Sequence, residues 1–176
     1  SDGQMLFLLN GVSKLKDTGR MAIIQNGSSL FSGDAGSGQS EIRRYLIESD
    51  WLDAIIQLPT DSFYNTGIYT YIWIITKDKP ESHREKVLLI DASKCFETRK
   101  KPIGNKRVDI TEICRELIVK AYGDYVNKDY EKEIADGKTI TCKSKVMDAV
   151  SLGYNKITIE SPQLNEEGSI VTKKGT

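Results

Sequence analysis

Apolar residues in the first half of the chain alternate between helical and strand spacings. Helical spacing predicts a first helix over residues 2–16 with one buried face, formed by Met5, Leu8, Leu9, Val12 and Leu15. A short, continuously apolar run at residues 21–24 predicts a strand covered on both faces, as in a parallel sheet. Three further apolar runs predict strands over residues 53–59, 71–76 and 86–91. The first half therefore has the pattern of an α/β protein.

The connections between these strands predict how they pair. A second helix, with Ser40 as its expected N-cap and Ile42, Tyr45 and Leu46 on its apolar side, joins the first two strands. A strand–helix–strand unit favours parallel pairing through a right-handed crossover. The second and third strands share only the loop at residues 60–70, so antiparallel pairing is the easier connection. We expect a mixed sheet.

Beyond residue 91 the chain is richer in charge. Residues 99–107 predict a basic loop, and Asp109 with Glu112 three residues later predicts a capping-box start of a helix. Residues 126–142 are rich in lysine and acid, which indicates a solvated helix or a connector. A last short strand is expected over 153–160, followed by a polar tail that should be frayed.

Composition limits the function classes. The chain has 176 residues, 25 basic and 25 acidic, so its net charge is zero and any contact with nucleic acid must come from a local patch. Its three cysteines are far apart and its only histidine, His83, is expected to be a solvated loop residue. This usage argues against a zinc site or a disulfide framework and favours a reduced, cytoplasmic setting. No apolar run approaches the length that crosses a bilayer.

Residues 33–40 nearly match a phosphate-binding loop. They spell G-x-x-x-x-G-Q-S, and Gln39 stands where the motif needs a lysine. Glutamine can donate a hydrogen bond but cannot neutralise a triphosphate. We therefore interpret the glycines as a tight bend between strand and helix, and a degenerate nucleotide site as the weaker alternative.

The loop after the second strand carries three aromatic residues, Phe63, Tyr64 and Tyr69. One interpretation is that a ring folds back to cover the sheet. The other is a stacking platform, because a ring on a loop gains about 1–3 kcal/mol from an unstacked base, and enzymes that modify a base in duplex DNA flip it out of the helix. The basic loop at 99–107 fits phosphate contacts or an ordinary solvated surface equally well.

Several segments together resemble one known family. They are GRMAIIQNG (19–27), GQSEIRR (38–44), AIIQLP (54–59), FYNTGIYTYIW (63–73), KVLLIDA (86–92), GNKR (104–107), IVKAY (118–122) and GYNKITIE (153–160). In this order they resemble the modification (methyltransferase, M) subunit of bacterial type I restriction-modification systems. That resemblance implies an adenine-N6 DNA methyltransferase that uses S-adenosylmethionine. It also implies a Rossmann-like sheet of seven strands, one of them antiparallel.

The resemblance implies only part of that fold. The chain would supply the fifth strand, the helix after it, the sixth strand and the antiparallel seventh. The family's acidic, glycine-containing cofactor motif and its Asn-Pro-Pro-aromatic motif are missing, and all four prolines stand alone. We therefore expect a C-terminal fragment, inactive by itself. Residues 1–95 would form the C-terminal half of the catalytic domain, residues 96–160 a mostly helical extension with a short last strand, and residues 161–176 a disordered polar tail.

The resemblance also suggests site residues. Phe63 matches the position whose ring stacks on the flipped adenine, with Tyr64 as the second candidate. No catalytic, cofactor-binding or metal-binding residue is assigned within the chain. Seven basic residues are expected to contact DNA or a partner subunit: Arg43, Arg44, Arg99, Lys100, Lys101, Lys106 and Arg107. For Arg43 and Arg44, ion pairs with nearby acids are the more ordinary use.

The expected partners are DNA and the specificity and restriction subunits of the type I complex. An uncovered edge of the first strand should also allow pairing with a second copy of the chain. The alternative function is a non-catalytic module that docks subunits. The Phe63 ring discriminates between the two, because a ring facing an open cleft favours the enzyme and a ring buried in the core favours the docking module.

Overall fold

The computed structural model describes residues 3–134 and 137–159, together with residues 161, 162 and 168. Its first half contains α1 (Gly3–Lys14), β1 (Arg20–Asn26), α2 (Ser28–Phe31), α3 (Gly38–Glu48), β2 (Leu52–Gln57), β3 (Thr70–Thr76) and β4 (Lys86–Asp91). The second half contains β5 (Glu97–Ile103), β6 (Lys106–Asp109), α4 (Glu112–Asp124), β7 (Lys128–Glu133) and β8 (Thr139–Asp148). Short 3-10 turns lie at Glu81–His83 and Ala149–Leu152.

A six-stranded mixed sheet organises the described residues, in the order β1-β3-β2-β4-β8-β7. Of the strands in the described part of the chain, only β2 and β4 pair in parallel, and β5 with β6 forms a separate antiparallel hairpin. The predicted antiparallel pairing of the second and third strands is confirmed. The predicted direct pairing of the first two strands is wrong. They run in the same direction, but β3 lies between them and pairs antiparallel with both.

The first strand is less buried than its apolar sequence predicted. Among the described residues β1 pairs only with β3, so it lies at an edge of the sheet. Gln25 is its one buried residue, and the Ile24 side chain is 50% exposed. The prediction of a strand covered on both faces is therefore wrong, because a second neighbouring strand and a full helical cover are both missing there.

The core consists of two clusters that lie on opposite faces of the sheet, since neighbouring residues of β2 and β4 alternate between them. One cluster packs α1 and α3 against Trp73 and Ile75. It contains Met5, Leu8 and Val12 of the predicted helical face, and Leu15 packs against it. The other packs α4 against Ala54, Leu88 and Ile90. Cys95, Cys114 and Cys142 are free thiols buried in this second cluster.

Two predicted helix starts are wrong by a few residues. Helix α3 begins at Gly38 with Ser37 as its N-cap, whereas Ser40 lies inside the helix. Helix α4 begins at Glu112 with Thr111 as its N-cap. Asp109 cannot act as the cap because its carboxylate is already bound by two basic side chains of the hairpin.

The prediction of a mostly helical extension over residues 96–160 is also wrong. The basic loop at 99–107 belongs to the β5–β6 hairpin, and residues 126–142, predicted as a helix or connector, contain β7 and the start of β8. In β8 the buried residues Ile140, Cys142 and Ser144 alternate with exposed or partly exposed ones, a period of two that the lysines of the outer face obscured.

Residues 153–159 form no regular strand, contrary to the prediction. The tail predicted at 161–176 lies outside the described residues except at 161, 162 and 168. The division of the chain into domains remains a prediction. Within the described ranges, no helix is long and apolar enough to cross a membrane.

Candidate nucleic-acid interface

The glycine-rich segment between β1 and α3 is a bend, as the sequence predicted. Gly33 and Gly36 have φ values of +85° and +81°, which favour glycine. A Cβ atom on Gly33 would lie 2.3 Å from Ser37 Oγ and 2.9 Å from Gln39 Oε1. The side chains of Ser37 and Gln39 thus fill the bend at Gly33, whereas Gly36 and Gly38 border open space. With Gln39 in place of a lysine, the bend still lacks the charge that a triphosphate needs.

The aromatic loop, residues 60–69, joins β2 to β3. The Phe63 side chain is partly buried and packs against the core cluster beneath α4. Tyr64 is 62% exposed, and Tyr69 is 46% exposed. The two candidate base-stacking residues thus differ: Phe63 lies between core and solvent, while Tyr64 presents its ring outward.

The β5–β6 hairpin is fastened to the aromatic loop through the backbone. The amide of Asn105 donates to the Tyr64 carbonyl oxygen at 3.0 Å, and the amide of Arg107 donates to the Asp61 carbonyl oxygen at 2.9 Å. Gly104, at the hairpin turn, has a φ of +59°, and a Cβ atom there would lie 2.6 Å from the Tyr64 oxygen. No residue pattern indicates these contacts in advance. They make the loop and the hairpin one structural unit.

Two of the predicted basic residues are engaged inside the hairpin. Arg99 Nη1 donates to both oxygens of Asp109 at 2.6 Å, and Lys106 Nζ lies 3.1 Å from Asp109 Oδ1. The hydrogen bond from Arg99 is the main reason that the pKa of Asp109 is lowered. Lys106 Nζ also lies 5.3 Å from the centroid of the Tyr64 ring, within cation–π range.

The other three basic residues of the hairpin are open to solvent. Lys100, Lys101 and Arg107 are exposed, and their side chains form no ion pair with any described residue. Lys100 and Lys101 lie where the register between β5 and β6 shifts, between Thr98 and Ile103. Such an irregularity changes the direction of side chains relative to a regular strand.

The two predicted contact residues on α3, Arg43 and Arg44, bind groups that are close to them in sequence. Arg43 donates to the carbonyl oxygens of Ser29 at 3.1 Å and of Ser32 at 2.7 Å, which fastens α3 to α2. Arg44 is ion-paired with Glu41 at 2.6 Å and lies 3.8 Å from Glu48. Arg43 therefore has a structural role, whereas the exposed Arg44 pair contributes little to stability.

A buried polar cluster centred on Asp53 was missed in the sequence. The Asp53 carboxylate is fully buried. It accepts a hydrogen bond from the Tyr122 hydroxyl at 2.5 Å and lies 3.1 Å from His83 Nδ1. The His83 ring stacks on Tyr125 with centroids 3.5 Å apart. The prediction that His83 is solvated is wrong, because its side chain is only 16% exposed. An acid beginning an apolar strand was the one available signal.

This cluster joins elements of the fold, and its central Asp53 carboxylate is closed to solvent. Burial, followed by the interaction with Asp53, raises the pKa of Tyr122 and Tyr125 well above the usual range. Both phenols therefore stay neutral hydrogen-bond donors and attach α4 to β2. Among the described residues no group of histidine, cysteine and acidic side chains could hold a metal ion.

Comparison with known proteins identifies the family. The family model described as N-6 DNA Methylase matches residues 1–162, nearly the whole chain. The chain belongs to the N-6 DNA methylase family. Both the predicted family and the methyltransferase type of α/β fold are confirmed.

Individual members of the N-6 DNA methylase family are similar over different lengths. The Type I restriction enzyme MpnII methylase subunit of Mycoplasma pneumoniae is 27% identical, covering 80% of this chain and 29% of the relative. The MjaVII methylase subunit of Methanocaldococcus jannaschii is 33% identical, covering 51% of this chain and 16% of the relative. The chain thus spans less than a third of the length of these relatives.

A solved structure of the family supports the same assignment. The crystal structure of the type I restriction-modification system methyltransferase subunit from Streptococcus thermophilus superposes with a TM-score of 0.69 at 29% identity. The match covers 86% of this chain and 28% of that one. Most of the chain therefore shares its fold with part of a larger methyltransferase subunit.

Proposed function

We propose that the chain is part of the modification subunit of a type I restriction-modification system, a site-specific adenine-N6 DNA methyltransferase. The parent protein would transfer a methyl group from S-adenosylmethionine to adenine in DNA. The family match over residues 1–162 is the observation that carries this proposal. DNA and the specificity and restriction subunits would be its partners.

The sheet order supports a specific place for the chain in that enzyme. In β1-β3-β2 the middle strand is antiparallel to both neighbours. This is the relationship expected of a fifth, a seventh and a sixth strand in the family's sheet. The chain would then supply the fifth, sixth and seventh strands of the catalytic domain, together with the aromatic loop between the sixth and the seventh.

The described residues do not fit S-adenosylmethionine. The glycine-rich bend is filled at Gly33 by Ser37 and Gln39. A cavity of about 290 Å³ is lined by Gly3, Leu6, Phe7 and Asn10, which bring no acid to hold a ribose. In the parent protein the cofactor site would lie in residues beyond those described.

Within the parent enzyme, the aromatic loop would receive the flipped adenine. Phe63 would stack on the base, with Tyr64 as the second candidate. Phe63 has the position in the family motif, and Tyr64 has the more exposed ring. Stacking on one ring stabilises an unstacked base by about 1–3 kcal/mol, so the loop would hold the adenine outside the duplex long enough for methyl transfer.

Methyl transfer by the complete enzyme tests this role. Phe63→Leu keeps most of the apolar volume that packs against the core but removes the aromatic face. We expect kcat/KM for adenine methylation to fall about 5- to 150-fold, the equivalent of 1–3 kcal/mol. Phe31→Leu is the matched control, because Phe31 is 76% exposed on α2, outside the loop.

Tyr64→Leu is measured beside Phe63→Leu, and thermal unfolding checks that each variant folds. If neither substitution lowers methylation more than Phe31→Leu does, the base-receiving role is wrong. The packing of Phe63 against the core would then favour the docking module.

A further inference from the structure

The β5–β6 hairpin concentrates positive charge that the chain as a whole lacks. Residues 97–109 contain five basic and two acidic residues, whereas the complete sequence has 25 of each sign. One of the two acids, Asp109, is bound by Arg99 and Lys106. The charge that remains open therefore belongs to Lys100, Lys101 and Arg107. An exposed, unpaired basic cluster is the usual electrostatic feature of a surface that binds phosphates.

The position of this cluster relative to the aromatic loop is fixed by the backbone. Two hairpin amides bind the Tyr64 and Asp61 carbonyl oxygens, and Val108 also donates to Asp61 at 3.3 Å. The Asp109 carboxylate holds Lys106, whose ammonium group lies near the Tyr64 ring. The exposed cations and the aromatic loop are thus parts of one unit.

We propose that this hairpin binds DNA backbone phosphates beside the target base through Lys100, Lys101 and Arg107. The backbone hydrogen bonds between the hairpin and the aromatic loop hold that loop beside the bound DNA strand. Asp109, Arg99 and Lys106 are positioning residues that keep the hairpin and Tyr64 together. The inference rests on the proposed function and assigns to DNA a surface that a partner subunit could otherwise use.

The salt dependence of DNA binding by the complete enzyme tests the phosphate contacts. Each phosphate contact contributes about 0.9 to the slope of log K against log salt. We expect Lys100→Gln/Lys101→Gln to lower that slope by about 2 in fluorescence anisotropy with a duplex containing the target. The matched control is Lys120→Gln/Lys145→Gln, two exposed lysines outside the hairpin, which should leave the slope unchanged.

Two results would overturn the phosphate contacts. One is a slope equal to that of the unmodified enzyme. The other is impaired assembly with the specificity subunit in gel filtration, with an unchanged slope for the complex that does form, since this would assign the hairpin to subunit docking. The two roles can also fail separately. If Lys100→Gln/Lys101→Gln lowers the salt slope while Phe63→Leu and Tyr64→Leu leave methylation intact, the base-receiving role is wrong and the phosphate contacts are supported.

Gly104→Ala tests the connection between hairpin and loop. The added methyl group collides with the Tyr64 carbonyl oxygen, and an alanine at this position is strained by the φ of +59°. The hairpin must therefore shift against the loop. We expect reduced fluorescence of 2-aminopurine placed at the target position, with the salt slope retained. Gly123→Ala is the control, because a Cβ atom there meets nothing within 4 Å. Fluorescence equal to that of this control would refute the connection.

Discussion

Tyr122→Phe removes a single hydroxyl group from the buried Asp53 cluster. Among the described residues, the fully buried Asp53 carboxylate has two side-chain partners, the Tyr122 hydroxyl at 2.5 Å and His83 Nδ1 at 3.1 Å. A hydrogen bond to a charged group contributes about 1.5–3 kcal/mol, and its loss leaves a buried oxygen without that donor. We expect the free energy of unfolding to fall by about 2 kcal/mol.

Urea denaturation of the chain measures this loss. With a slope of about 2 kcal/mol per molar urea, the midpoint should fall by about 1 M. Tyr45→Phe is the control, since Tyr45 is 46% exposed and its ring contact with Trp51 survives the substitution; its effect should stay within about 0.5 kcal/mol. If Tyr122→Phe shifts the midpoint no more than Tyr45→Phe does, Asp53 is not held as described.

Three other predictions concern stability and association. Lys79→Met should cost about 2 kcal/mol in urea denaturation, because the 3% exposed Lys79 loses its charged hydrogen bond to Asp50 at 2.6 Å; a loss below about 0.5 kcal/mol would contradict this. Burial raises the pKa of Cys142 from 9.0 to about 12. Stability should therefore fall above about pH 9, where the unfolded chain releases a proton that the folded one keeps; a flat profile from pH 8 to 10.5 would refute this. The free edge of β1 should allow pairing between copies, so a strict monomer in gel filtration at all concentrations would exclude self-pairing.

Local patterns predicted the first half of the fold well. The apolar runs that form β2, β3 and β4 are short and bounded by turns. The strands begin and end within two residues of the predicted positions. The order of the strands was less accessible. Nothing in the connection between β1 and β2 indicates that β3 comes between them, since that arrangement depends on contacts distant in sequence.

The second half was mispredicted because charge concealed its strands. In β7 only Tyr130 is buried, so five of its six residues read as solvated. The hairpin has one buried residue, Val108, and is held mainly by backbone hydrogen bonds and by Asp109. Such strands are stabilised by pairing with their neighbours, which a hydrophobic pattern does not record.

The candidate site was predictable only in part. The aromatic loop and the basic segment were each visible in the sequence, but the backbone contacts that join them were not. The different exposure of Phe63 and Tyr64 also required the structure, because neighbouring aromatic residues in a loop carry no periodicity.

The base-receiving role of the aromatic loop can be tested directly in the complete enzyme. The complete enzyme is bound to duplex DNA with 2-aminopurine at the target adenine, whose fluorescence rises when the base leaves the stack. We predict that Phe63→Leu or Tyr64→Leu greatly reduces this rise, while Phe31→Leu does not. Fluorescence equal to that of the unmodified enzyme in both loop variants would show that the aromatic loop does not receive the base.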